Sequence, residues 1–464
     1  MDVLNVGVDL GVTAQHHAVI VNSEGIKVCS SVTFPGTKEG FDIVSKQALK
    51  HGSEGTRLRF ICEPTSMSWF PLAVYAKRHG HEIMRVKAQK SHALRKYYSI
   101  HCKSDTLDAG VLAMMPIVDR QSVEEVYLPD TMTSALDRRC RQREKISKEI
   151  ASLKTRIKSL YHWVMPGLTD CFEDPYGKRA KSFYRKYTNP FRVKRLGISR
   201  LAKVLEKGGR QRSKEELSKQ VYEAAIRGCE LYDHPDGFMD FDELQREVDY
   251  EIALLENYEE VLQKVDEDIK RLYESVHPSK DIETIPGIGE TLAPVFLGII
   301  GNVDRFSSQS RARSYSGMIP RQKDSGETSK KGLPLTKDGP ARYRRALYLA
   351  SDSARQCDPQ LAKVYYEQMV YKGNCHTQAV CAVSTHMVGR IIRVLKNKSP
   401  YELRDIEGRP ITKQEAKALI AREYNVPQQV RTRTRSQKIK GYKHDQVRDI
   451  AAMQFSKSVL YPSY

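Results

Sequence analysis

Apolar and polar positions follow three regimes along the chain. Up to about residue 120, short runs alternate apolar with small or polar residues, the period-two pattern of strands. "NVGVDLGV" (Asn5–Val12) reads as one strand and "HAVIVNSEGIKVCSSVTF" as two more across a turn at Asn22–Gly25. "LRFICE" is a short apolar strand ending at Glu63, and "HEIMRV" is another. Helical spacing marks "KEGFDIVSKQALKHG", the segment from about Trp69 to His79, the basic stretch Lys90–Tyr98, and the run that begins "KSDTLDAGVLAMM", where Ser104 is placed to cap. Three antiparallel strands followed by alternating helices and strands predict a mixed α/β sheet covered by helices.

From about Leu136 the period changes. Ile146, Ile150, Leu153, Ile157, Leu160 and Val164 recur in steps of four and three, a heptad seam. A second seam runs through Phe241, Leu244, Val248, Leu255, Tyr258, Leu262, Val265, Ile269 and Leu272, with Glu251 interrupting it. The pattern predicts two long coiled-coil helices that pair either within the chain or across a dimer. Residues from about 281 to 397 read as a mostly helical unit, followed by a polar tail. The expected boundaries are therefore 1–130, 131–280 with an insert at about 165–240, 281–398, and 399–464.

Composition adds a partner. The chain has 464 residues and a net charge of +19, with 40% apolar and 29% charged residues. An excess of cations gains affinity from phosphates by releasing their counterions, so a nucleic acid is the expected partner. A ribosome-associated or membrane-surface protein is the alternative that charge alone allows. No apolar run approaches the ~20 residues that span a bilayer. The amino terminus opens directly on a strand pattern, so no signal peptide is expected. Nine cysteines without a C-x-x-C pair argue against both a disulfide framework and a zinc site. A cytoplasmic, nucleoid-associated protein is expected. Cations and aromatics interleave from Tyr176 to Lys214, which suits contact with phosphates and unpaired bases. A second basic run, Val430–Arg448, lies in the tail.

The acids are arranged by element. Asp9 lies in the first strand, Glu63 ends a later one, and Asp105 and Asp108 are three apart on one helix face. A carboxylate after an apolar strand is costly unless it sits at an edge or binds something. Four together would repel, and a hard cation such as Mg²⁺ would offset that repulsion. The order strand-Asp, strand-Glu, Asp-x-x-Asp on a helix is the layout of RNase H-like and RuvC-like nucleases. Two further stretches carry chemistry. "TIPGIGETLAPVFLGII" has the Pro-Gly-Ile-Gly of a helix-hairpin-helix, whose Gly287 and Gly289 would let backbone amides approach DNA phosphates, or it is an ordinary tight turn. "IPRQKDSGETSKKG" holds Ser325 among Arg321, Lys323, Lys330 and Lys331, and Gly and Pro mark it as loop until about Pro340. The helix after it places Arg342 and Arg345 on one face, where they would bind phosphate. Serine needs a base or metal nearby to act as a nucleophile, and no local histidine pairs with Ser325. On spacing alone it is a turn residue.

These pieces together resemble the DEDD-type transposases, or recombinases, of bacterial insertion sequences that are guided by a bridge RNA. "GVDLGVT", "ICEPTS" and "KSDTLDA" match the family's acidic motifs, the second with Pro64 where the family usually has Ala. The stretch from Ile282 to Ser329 and "KDGPARYRRALYLA" match its transposase domain. The resemblance covers roughly residues 1–160 and 240–395. It implies a RuvC-like domain, a coiled-coil linker and an α-helical transposase domain. It also implies a Mg²⁺ site on Asp9, Glu63, Asp105 and Asp108. Ser325 would be the nucleophile that forms a phosphoserine link to DNA, its activator supplied by a neighbouring protomer. The implied partners are DNA, a structured guide RNA and further copies of the chain, as a dimer or tetramer, with no membrane. The alternatives are a metal-dependent junction nuclease with a structural Ser325, and a non-enzymatic nucleic-acid scaffold.

Overall fold

The computed structural model describes the chain apart from residues 1–2, 65–66, 99–103, 121–122, 206–213, 236, 323, 326–327, 330–332 and 432–464. The side chains of residues 88, 89, 214, 324, 325, 328 and 329 also lie outside the description. Two compact units result, Met1–Pro129 and Asp130–Tyr464.

The first unit is built on a six-stranded sheet. The strands are β1 Val3–Asp9, β2 His16–Val21, β3 Val32–Phe34, β4 Arg57–Cys62, β5 Glu82–Val86 and β6 Val123–Glu125, in the order β3-β2-β1-β4-β5-β6. β1, β4 and β5 run parallel, and β2, β3 and β6 pair antiparallel to their neighbours. The centre of β1 is buried on both faces, as an inner strand of a covered sheet requires. Helices α1 Lys38–Leu49 and α2 Trp69–Arg78 share one core with the sheet through Phe41, Val44, Leu72 and Ala76. α3 Ala88–Tyr98 packs on α4 Asp105–Val118, and α4 lies on the opposite face of the sheet, against Val19 and Val21. The mixed sheet predicted from the sequence is present. β6 is an addition: a three-residue edge strand of Val and two Glu has no periodicity to read, and tertiary pairing holds it, with Arg85 bonded to Glu124 at 2.6 Å.

The second unit is helical. α5 Thr131–Val164 is capped by Asp130, which accepts from the Thr133 amide at 2.9 Å. α6 Lys178–Tyr184, α7 Pro190–Leu205 and α8 Lys214–Tyr232 lead to α9 Phe241–Val276. The seams of α5 and α9 are buried against each other, so these helices pair within the chain. Arg139–Asp268 (3.1 Å), Arg143–Asp266 (2.6 Å) and Arg156–Glu251 (3.1 Å) run in opposite directions along the two helices, which are therefore antiparallel. Arg156 thus satisfies the Glu251 that breaks the apolar seam. α10 Ala293–Ile300, α11 Gln309–Ser316, α12 Ala341–Ala354, α13 Pro359–Tyr366, α14 His376–Asn397 and α15 Lys413–Glu423 follow. α14 packs against α11, α12 and α13. One apolar core continues from Leu136 to Val430, across the boundary expected near residue 280.

The basic stretch from Tyr176 differs from expectation. Its aromatics turn inward: Phe183 and Tyr184 are fully buried, Tyr176, Tyr187 and Phe191 are half-buried against the same core, and Tyr161 and Tyr184 pack ring on ring at 4.5 Å. The physical reason is that α6 is short and its only large apolar residues are Phe183 and Tyr184, so these must supply its anchor to the helices beneath.

Candidate active site

Backbone register brings the acids of the first unit together. β1 and β4 run parallel with Val8 opposite Cys62, so Asp9 and Glu63, one residue on, stand at the same end of adjacent strands. α4 reaches that end because Gly7 lacks a side chain. A Cβ there would lie 2.0 Å from the Ala109 carbonyl oxygen and 2.3 Å from the Ala113 amide nitrogen, so helix backbone rests directly on strand backbone. Ser104 caps α4, accepting from the Leu107 amide at 3.2 Å, and its first turn carries Asp105 and Asp108. A helix amino terminus favours such carboxylates.

The four acids sense one another. Burial pushes the Asp9 carboxyl above its usual range, and the negative charges of Asp108, Asp105 and Glu63 push it further, with His17 opposing. The neighbours are held by side chains that the sequence pattern did not single out. One Arg95 nitrogen, Nη1, donates to both Asp108 oxygens at 3.0 Å. His17 Nε2 lies 3.3 Å from Asp105, and Ser91 donates to Glu63. Ser91 and Arg95 are four apart on the basic helix α3, and that spacing was the available signal.

The donor chemistry suits a hard divalent cation: four carboxylates, one of them reluctant to ionise because it is half-buried and the other three lie near it. Among the described residues, however, no three His, Cys, Asp or Glu side chains stand close enough to hold an ion together. Asp108 faces Arg95 and Asp105 faces His17, so gathering the ligands requires those two pairs to open.

The second unit holds the other expected residues. Ser325 is on the two-residue strand β7 Asp324–Ser325, which pairs antiparallel with β8 Thr328–Ser329 in the register Ser325–Thr328. Part of the stretch read as loop is therefore a small hairpin. Its base is closed by the Arg321 amide on the Pro334 carbonyl and the Thr336 amide on the Ile319 carbonyl, both 2.8 Å. Arg321 is exposed at this base. The Ser325 side chain, Lys323, Lys330 and Lys331 lie outside the described residues.

Gly287 has φ +84°, and a Cβ there would sit 2.1 Å from the Ala350 carbonyl oxygen, so it is needed for packing on α12. Gly289 has open space around its Cα. Arg342 departs from expectation. It is largely buried and bonded to Asp137 at 2.7 Å and Glu144 at 3.2 Å, because two acids of α5 face it across the core. Arg345, one turn on, is exposed, with only a 3.5 Å contact to Glu144, and lines a cavity of about 800 Å³.

The chain matches two family models. Residues 6–166 match one described as a transposase, of the DEDD type of the IS110 elements, and residues 279–367 match one described as transposase of the IS116/IS110/IS902 family. It is 24% identical over 402 residues to the insertion element IS110 uncharacterized 43.6 kDa protein of Streptomyces coelicolor, covering 86% of this chain and 95% of that one. It is 22% identical over 398 residues to the insertion element IS116 uncharacterized 44.8 kDa protein of Streptomyces clavuligerus, covering 85% and 94%. It is also 21% identical over 378 residues to the pilin gene-inverting protein of Moraxella lacunata, covering 80% and 90%. No described helix is long and apolar enough to cross a membrane.

Proposed function

We propose that this chain, an enzyme of the DNA transposase and recombinase class that matches IS110/IS116-type transposase domains over residues 6–166 and 279–367, moves an insertion element by cutting and rejoining DNA through a phosphoserine link at Ser325. The observation that carries the reading is the convergence of Asp9, Glu63, Asp105 and Asp108 on one end of a mixed sheet, an arrangement of RuvC-like type.

In this scheme the Ser325 hydroxyl oxygen attacks a backbone phosphorus. The bond from that phosphorus to a sugar oxygen breaks as the serine–phosphorus bond forms. The serine proton leaves to a base, and the departing sugar oxygen is protonated. Attack by a second strand's hydroxyl on the phosphoserine reverses the sequence and rejoins DNA without loss of the bond energy. The hairpin presents Ser325 on paired backbone, with Arg321 exposed at its base toward incoming phosphates. Asp9, Glu63, Asp105 and Asp108 would hold Mg²⁺, which would stabilise charge developing on the phosphate. Arg95 and His17 hold Asp108 and Asp105 oriented until then. Ser325 serves acids of a neighbouring copy in a dimer or tetramer, and a structured guide RNA selects the target by base pairing. Gly289, Lys330, Lys331 and Arg345 contact the nucleic acid backbone. Such an enzyme works in the bacterial cytoplasm, at the nucleoid.

The test is Ser325→Ala with element-end DNA and the element's own RNA. The covalent protein–DNA adduct and strand exchange should both vanish, with folding and RNA binding kept. Strand cleavage at the unaltered rate would remove Ser325 from the chemistry and favour hydrolysis by water.

A further inference from the structure

The lobe formed by α6 and α7 has no role in the scheme above. It lies between the two stretches that the family models match, 6–166 and 279–367. From Tyr176 to Leu205 the sequence has ten Lys or Arg and no Asp or Glu. Two of these cations tie the lobe to α9, Lys181 to Glu259 at 2.5 Å and Arg185 to Glu256 at 2.7 Å. Lys186, Arg192, Lys194, Arg195, Arg200 and Lys203 are different. All six are exposed, and none is in an ion pair among the described residues.

The backbone makes them a surface. Asn189 caps α7, accepting from the amides of Phe191 at 2.9 Å and Arg192 at 3.3 Å. The helix is then broken at Gly197 (φ 72°, ψ 163°). Before the break Val193 is buried, and Arg192 and Arg195, three apart, share an outer face. After it Leu201 and Leu205 are buried, and Arg200 and Lys203 share the outer face. The result is two short cationic segments in succession, each anchored from behind.

We propose that this lobe docks on double-stranded DNA through its phosphates, without reading sequence. Charge density selects a polyanion, since like charges this close gain from a partner that sheds its counterions. The buried aromatics select a duplex. Phe183 and Tyr184 are inside, and Tyr176, Tyr187 and Phe191 are half-buried against the same core, so no described aromatic ring of the lobe stands clear as a platform for unpaired bases. Ile198, 38% exposed, is the one large apolar side chain that α7 shows to solvent, too little to enter a bilayer or to form the core of a protein interface. The choice of DNA rests on the transposase class of the enzyme and does not depend on Ser325 or the acids being catalytic.

The experiment is anisotropy of a labelled mixed-sequence DNA duplex with the full chain in EDTA, across a salt series. In the combined variant R192A/R195A/R200A/K203A, the slope of log affinity against log salt should become shallower by up to about 3.6, at roughly 0.9 per lost phosphate contact. The charge-keeping variant R192K/R195K/R200K/K203R should retain duplex binding and guards against a folding artefact. Ser325→Ala should also bind duplex normally, so failure of the catalytic scheme is read separately. Unchanged duplex affinity and slope in the alanine variant would overturn the proposal. A loss confined to single-stranded or hairpin RNA, with duplex DNA binding intact, would overturn it too.

Discussion

Asp9 and Arg342 are both charged residues that stand out in the sequence, one in each unit. Asp9 ends a buried strand, and its burial, together with the charges of its own sign around it, pushes its carboxyl upward. Arg342 sits on a helix of the same kind of amphipathic pattern, yet it meets Asp137 and Glu144 and is closed off by them. Like charges gathered by backbone geometry call for a ligand from outside the chain. Opposite charges gathered the same way satisfy each other and need none. The contrast separates a candidate catalytic centre from an internal brace with chemically similar raw material.

The sharpest break of that contrast is Asp108→Asn. If the acids act on DNA, cleavage should fall roughly a thousandfold, about 4 kcal/mol of transition-state stabilisation, with duplex binding retained. Full cleavage by this variant, or by the parent chain in EDTA, would show that the acids do not serve the chemistry. Arg342 should show the reverse profile. Arg342→Ala removes the largely buried cation that Asp137 and Glu144 share, leaving them only the more exposed Arg141, Lys148 and Arg345 as near partners, and should cost about 3 kcal/mol in denaturant unfolding. Arg345→Ala, on the exposed side of the same helix, should stay within about 0.5 kcal/mol. Equal, small stability losses with weakened DNA binding in both would return Arg342 to the nucleic-acid surface.

The smallest expected effect concerns pH. The Asp9 carboxyl is raised in the folded state, so the folded chain binds its proton more tightly than the unfolded chain does. Stability therefore declines as pH rises from the ordinary carboxylate range through the raised folded value, and the penalty is fully present above it. Without metal, Asp9→Asn should melt slightly higher than the parent at neutral pH, and the difference should close on acidification. A difference that grows in acid would mean that the charges around Asp9 are not those placed here.

Much of the acid site was legible because strand order and helix spacing are local properties. "GVDLGVT", the Glu63 after an apolar strand, and Asp-x-x-Asp after a capping serine each announce an element end. Arg95, Ser91 and His17 were not legible as site residues. Their place depends on α3 packing against α4 and on the pairing of His17 opposite Asp9. The basic stretch misled for a related reason. Interleaved aromatics look the same in sequence whether they face solvent or a neighbouring helix, and only the packing of Phe183 and Tyr184 against the α5–α9 pair distinguishes the two.

Apart from β6 and the Ser325 hairpin, the sequence by itself determined most of the strands and helices, the heptad seams, the polyanion-seeking charge, and which four acids end up on which elements. These follow from periodicity and composition, which need no partner to be read. The tertiary structure decided that the seams close within one chain, that Gly7 lets α4 rest on β1, and that Arg342 is braced while the cations of α7 are exposed and without ion pairs among the described residues. Those outcomes depend on which faces meet, and a face has no meaning until a second element is packed against it.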